Sequence, residues 1–239
     1  MHRSAALLPP GALEGIVVDV GAGSGSFALL AAGDPRATVH AYEPNPARYR
    51  ALLEAAGAGR LELAAWPYAA RGDERPAVSV APDGYVRPIA TPEEAAAAHE
   101  DGCHVILADE LADIILRHCP ADVTELEPQL TPEEELDRVE ALAAGQPWQD
   151  TNPDRRAVVR LGQLATLRLG TPDPLPLLEH AAGHAERDVP PLRRVRVLIV
   201  DHAYNVDAVA RLVAVAGLEL YAYGGADDPV GVWHRPEEA

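Results

Sequence analysis

At 239 residues the chain has the length of one α/β domain, or of one such domain carrying a sizeable insertion, and is long enough to bury a real core. Its 20 basic side chains are all arginine against 37 Asp and Glu, for a net charge of −17, and the lack of lysine excludes Schiff-base and lysine general-base chemistry. Residues 91–154 hold 17 of the acids but only Arg117 and Arg138, so nearly all the net charge sits in one middle segment whose sign repels nucleic-acid phosphates.

No run of about 18 uncharged apolar residues occurs, and the opening MHRSAALLPP is too short and proline-broken for a signal segment. The expectation is a soluble, cytoplasmic protein without a membrane partner. Cys103 and Cys119 are too few for a disulfide framework and lack the paired spacing of a structural zinc site, which makes them reduced thiols.

In chain order, GIVVDV (15–20) reads as a short strand ending at glycines and SFALLAAG (26–33) as a short helix. ATVHAYE (37–43) is a second strand, NPARYRALLEAAG (45–57) a helix stopped by Gly57, and RLELAAW (60–66) a third strand. Strict alternation of this kind means right-handed crossovers and a parallel sheet.

The pattern resumes with LATLRLG (164–170) as a strand, LPLLEHAAGHAER (175–187) as a helix and RVRVLIVDHAY (194–204) as a long strand. It closes with the helix VDAVARLVAVAG (206–217) and the strands LELYAYGG (218–225) and VGVWHR (230–235), joined by ADDP. Both ends of the chain thus belong to one sheet.

Between them lies the acidic segment. TPEEAAAAHEDG and TPEEELDRVEALAAG each open with Thr as N-cap, Pro at the first helical position and acids in the first turn, the chemistry of a helix start. CHVILADELADIILRHCP (103–120) reads as a strand leading into a short helix. Residues 91–160 are therefore expected to be a mostly helical elaboration within a single domain spanning 1–239, inserted between the third and fourth core strands.

The chemistry-bearing motif is Asp19-Val20-Gly21-Ala22-Gly23-Ser24-Gly25, where the first strand turns into the first helix. Glycines there expose backbone N–H groups and let a ligand come close. Dinucleotide sites use G-x-G-x-x-G, whereas the third glycine here comes one residue early and Asp19 stands two before the first. A carboxylate at that place suits the ammonium end of an amino acid better than a pyrophosphate. Glu43 closes the second strand, 22 residues after Gly21, where an acid accepts ribose hydroxyls.

The D-x-G-x-G-x-G pattern resembles the first motif of class I S-adenosylmethionine-dependent methyltransferases. With AYEPNPARYRALL the likeness narrows: the sequence resembles the FkbM family, whose glycine motif is followed by an acidic strand end continuing as Glu43, Pro44, Asn45 and Pro46 do here. The similarity covers residues 15 to about 75 and about 160 to 225, leaving the acidic segment unmatched. It implies a Rossmann-like sheet of seven strands with the last antiparallel, and O-methylation of a small molecule of secondary metabolism.

The resemblance assigns Asp19, Gly21, Ala22, Gly23, Gly25, Glu43, Pro44 and Asn45 to S-adenosylmethionine. Strand order adds PYAARGD (67–73), with Ala69, Ala70 and Arg71 flanking the adenine and Asp73 or the backbone meeting its amino group. One departure concerns the fourth strand. The family carries a Lys-Ile-Asp-Val-Glu-Gly-like run there, but this chain has Arg168 for the lysine and Gly170 in place of the aspartate, with Asp173 the nearest carboxylate.

Methyl transfer to oxygen needs positioning and a proton acceptor, and in an open α/β sheet such groups sit at the carboxyl ends of strands. His202 after VLIVD meets that condition, with Asp201 beside it and Asp173 on the neighbouring strand end. Asp109, Glu110 and Asp113 are a second cluster; were a helix to start there, Asp109 and Asp113 would share a face. His180 and His184 have helical spacing without the metalloprotease Glu, and His99, Cys103, His104 and Cys119 lack paired ligand logic, so no metal is expected.

Three functions stay open: O-methylation of a small-molecule natural product, N-methylation of a cationic amine drawn by the acidic insert, and a catalytically silent cofactor-binding partner. The insert itself is either a cap over the acceptor or a helical decoration or homodimer contact.

Overall fold

Among the described residues the apolar runs that read as strands form strands, and several element boundaries fall at glycine, proline and Asx turns. The computed structural model describes residues 6–59, 63–66, 69–71, 77–82, 86–89, 91–119, 121–122, 160–183 and 190–236. The chain begins β1 (Gly15–Val20), α1 (Ser26–Ala32), β2 (Ala37–Tyr42), α2 (Pro46–Gly59) and β3 (Leu63–Trp66). It continues with β4 (Ala69–Arg71), β5 (Ala77–Val80), β6 (Val86–Ile89), α3 (Pro92–Glu100), β7 (His104–Glu110), α4 (Leu111–His118) and β8 (Ala121–Asp122). The remainder comprises β9 (Arg160–Leu161), β10 (Leu164–Leu169), α5 (Leu175–Gly183), the 3-10 turn Pro191–Arg194, β11 (Val195–Val200), α6 (Val206–Ala214), β12 (Glu219–Tyr223) and β13 (Gly231–His234).

The central sheet is mixed but mostly parallel, with the order β12-β13-β11-β10-β1-β2-β3. Only β13 runs against its neighbours, pairing antiparallel with both β11 and β12. Val18, Val20, Leu167, Leu169, Leu198 and Val200 face one side, packed against Ile114 and Ile115 of α4, Leu178 of α5 and Val209 of α6. Val17, Val39, Ala41, Val197 and Ile199 face the other, against Phe27 and Ala31 of α1 and Leu52 of α2. This alternation decides which face each strand-end polar side chain enters.

Several elements differ from the sequence expectation. α2 runs through Gly57 to Gly59; the glycine costs the helix only about 1 kcal/mol relative to alanine. β11 stops at Val200, because the chain turns at Asp201 and His202 instead of extending to Tyr204. Residues 77–89, given no element from sequence, contain β5 and β6, which join β4 and β7 in a second sheet of order β4-β7-β5-β6. The signal for that hairpin is Ala81-Pro82-Asp83-Gly84 between two β-rich runs.

α3 starts as its cap chemistry requires, with Thr91 Oγ1 accepting from the Glu94 N–H at 3.2 Å. The second Thr-Pro-Glu-Glu helix lies outside the described residues. Two compact units emerge, Met1–Pro120 with Gln163–Ala239, and Ala121–Gly162. In the smaller unit β8 and β9 pair antiparallel, Ala121 opposite Leu161. α3, β7 and α4 belong to the larger unit, so the acidic stretch from residue 91 onward is divided between the two. Among the described residues no helix is long and apolar enough to cross a membrane.

A polar thread ties α4 to β2 inside the larger unit. Arg117 donates to the Tyr42 hydroxyl at 3.3 Å and to Asp109 at 2.7 Å, and the Tyr42 hydroxyl bonds His118 Nε2 at 2.8 Å. The His40 ring stacks on His118 at 3.8 Å. Burial, with His40 and Arg117 close by, pushes the His118 pKa down to about 4 from an ordinary 6.5. A histidine held neutral in the folded state contributes stability that is complete above its unfolded pKa and is lost as pH falls from about 6.5 toward 4. His118→Gln, which keeps an acceptor for Tyr42, is expected to flatten the loss of stability in that window, measured by urea unfolding at stepped pH.

Candidate functional site

The glycine turn is built on one carbonyl. Tyr42 O, at the end of β2, accepts both the Gly21 and Ala22 N–H groups at 2.9 and 3.0 Å. Gly21, Gly23 and Gly25 all have positive φ, 76, 61 and 88°, the left-handed region in which glycine is unstrained. Gly21 has a second reason to be glycine: a Cβ there would meet the Gly170 backbone at 3.0 Å. The demand is mutual, since a Cβ on Gly170 would sit 2.5 Å from Gly21 O. Gly25 heads α1 as its N-cap, and Ala22 O takes its N–H.

Glu43 follows β2 directly and is 3% exposed. Its carboxylate accepts from the Gly23 N–H at 2.6 Å and the Asn45 N–H at 2.7 Å, clasping the glycine turn from the neighbouring strand. Burial raises its pKa, while those two N–H groups pull the other way. An added Cβ at Gly23 would meet no heavy atom within 4 Å, so the space in front of the turn is open. The result is a buried carboxylate, each oxygen accepting one backbone N–H, beside glycine backbone with open space at Gly23. Asn45 acts locally, since its Oδ1 accepts from the Ala47 and Arg48 N–H groups, making it the N-cap of α2 with Pro46 at the first helical position.

Beneath the turn lies an ion bridge. Arg168 of β10 stands opposite Asp19 of β1 in register and donates to it at 2.5 Å; its other terminal nitrogen donates to Asp201, just past β11, also at 2.5 Å. Arg168 is 6% exposed and Asp19 fully buried, and the Phe27 ring lies 5.3 Å from the guanidinium. Burial works against the Arg168 charge, but the two carboxylates outweigh it and raise its pKa. Asp19 is thus ion-paired with Arg168 across the neighbouring strands. The sequence signal for the bridge is an arginine inside the otherwise buried strand LATLRL, a place such a residue takes only when paired.

His202 and Asp173 are both exposed at carboxyl-end loops, after β11 and β10. His202 has φ 58°, the one non-glycine residue with positive φ among those described. Asp109 does not share a helical face with Asp113, because β7 continues through Glu110 and α4 starts at Leu111. Asp109 pairs instead with Arg117, and Glu110 lies 3.4 Å from His180. Ala70 and Arg71 belong to β4, their backbones in register with Asp109 and Glu110 of β7. Asp73 and His184 lie outside the described residues. Cys119 is buried with its thiol pushed up to about 11, and no group of three or more metal-ligating side chains gathers among the described residues. Compared with models of protein families and with curated proteins, the chain matches none.

Two substitutions test this arrangement. Arg168→Met strands two carboxylates at the sheet edge and is expected to cost about 3–5 kcal/mol in chemical unfolding, as breaking a buried pair does; adding Asp19→Asn and Asp201→Asn should recover much of it. Gly170→Ala forces a Cβ against Gly21 O, and an expected loss of about 1–3 kcal/mol follows from overpacking.

Proposed function

We propose that this chain binds S-adenosylmethionine and methylates a hydroxyl of a small molecule, on a class I methyltransferase sheet of seven strands with the last antiparallel. The observation that carries the proposal is the clasp of Glu43 on Gly23, which puts a buried carboxylate and an open glycine turn at adjacent strand ends. The reversed β13 lying between β11 and β12 supports it against a dinucleotide enzyme, whose doubly wound order 3-2-1-4-5-6 needs no such strand.

Glu43 would hold the ribose hydroxyls, Gly21 to Gly25 the amino-acid end, and the β4 segment with Ala70 and Arg71 would border the adenine. Asp19 acts through Arg168, keeping the floor of the turn in place. The cofactor supplies a methyl group activated by its sulfonium charge. His202, at the end of β11, is the group assigned to accept the hydroxyl proton, with Asp173 on the adjoining loop as a polar neighbour for the acceptor. A small-molecule substrate and a cytoplasmic location belong to the same proposal.

One observation favours a silent binding protein instead: the approach of Gly21 leaves no room at Gly170 for the fourth-strand acid that the FkbM resemblance leads one to expect. Calorimetric titration with S-adenosylmethionine and S-adenosylhomocysteine separates binding from turnover. Both ligands are expected to bind, and Glu43→Ala should weaken them by about 1–3 kcal/mol through lost charged hydrogen bonds. Unchanged affinity in that variant would remove the ribose role, and binding of NADH in their place would end the methyltransferase proposal.

A further inference from the structure

The turn after β11 is held tightly for a segment that presents its side chains to solvent. The Asp201 N–H is bonded to Leu169 O at 3.0 Å, and the N–H of Ala203, itself 1% exposed, to Pro229 O at 2.6 Å. Between these anchors His202 takes left-handed backbone that a glycine would adopt without strain. The Tyr204 N–H closes back on His202 O at 2.7 Å. The result is two rings side by side, their centroids 6.0 Å apart and their planes inclined by 29°. Tyr204 is 72% exposed, the most exposed large apolar side chain among the described residues. Core packing explains Ala203, but neither the strain at His202 nor the exposure of Tyr204.

Position supplies the missing reason. The turn lies at the carboxyl edge of the central sheet, where open α/β sheets take their ligands, and follows directly on the carboxylate that Arg168 ties to β1. Two rings at this spacing are in the range over which aromatic groups stack in offset geometry. Asp173 after β10 and Asp227 in the turn before β13 are exposed in the neighbouring strand-end loops and disfavour an anionic ring.

We infer that His202 and Tyr204 form an aromatic shelf that receives a planar, uncharged acceptor, so that the hydroxyl to be methylated is carried by an aromatic ring of the phenol or catechol class. The assignment of that hydroxyl as the methyl acceptor rests on the methyltransferase proposal; the shelf's affinity for aromatic rings does not.

The experiment titrates catechol into the full chain by ligand-observed NMR, with cyclohexane-1,2-diol and benzoate as comparison probes. The parent is expected to bind catechol in preference to both. Tyr204→Ala should weaken catechol about threefold to tenfold, the range of one aromatic stacking contact, while Tyr204→Phe retains it. Equal catechol affinity in parent and Tyr204→Ala overturns the shelf, as does equal binding of the cyclohexanediol. S-adenosylhomocysteine titrated into the same samples reports on the methyltransferase proposal alone. If it fails to bind while catechol shows the Tyr204 dependence, the shelf stands and the cofactor assignment falls; the opposite pattern overturns the shelf and leaves the cofactor assignment intact.

Discussion

The carboxyl edge of the central sheet depends on one buried cation. Arg168 joins Asp19 and Asp201 across the ends of β1, β10 and β11, three strands that are neighbours in the sheet. A lone arginine or aspartate at that depth would cost far more than the fold can offset. Arg168 offsets much of that cost for both carboxylates, and its charge-assisted hydrogen bonds to Asp19 and Asp201 tie the strand ends together. Phe27 closes the bridge from the α1 side, so the helix following the glycine turn is packed on the cation that the turn's own aspartate binds.

Above that floor the backbone carries the geometry. One carbonyl, Tyr42 O, receives two N–H groups of the glycine turn, and Gly21 and Gly170 come so close that neither strand end tolerates a side chain. Glu43 completes the clasp from β2. The acidic groups near the turn thus differ in partners, Asp19 being paired with Arg168 while Glu43 is buried and accepts backbone N–H groups of Gly23 and Asn45.

Tyr42 also reaches to the opposite face of the sheet. Its hydroxyl meets His118 and Arg117 of α4, and Arg117 continues to Asp109 of β7. The residue whose carbonyl anchors the glycine turn is therefore the residue that docks the crossover helix. Burial and the neighbouring His40 and Arg117 hold His118 neutral there, since a proton on its ring would face Arg117.

The apolar runs and their turn residues were enough to place the strands and helices of the central sheet, and the glycine spacing marked the left-handed turn after β1, because periodicity and φ preferences are local properties written in adjacent residues. The capping logic of Thr91 and Pro92 was legible for the same reason. What the fold alone decided were relations between distant positions. The partnership of Asp19 with a residue 149 places further on, and with Asp201 through it, depends on parallel register that sequence does not state. So does the mutual demand of Gly21 and Gly170, which turns an apparently missing acid into a required glycine. The shift of Asp109 from an expected helix face to a strand end, and the ending of β11 at Val200, were likewise settled by packing, because a short apolar stretch supports either conformation until its neighbours choose.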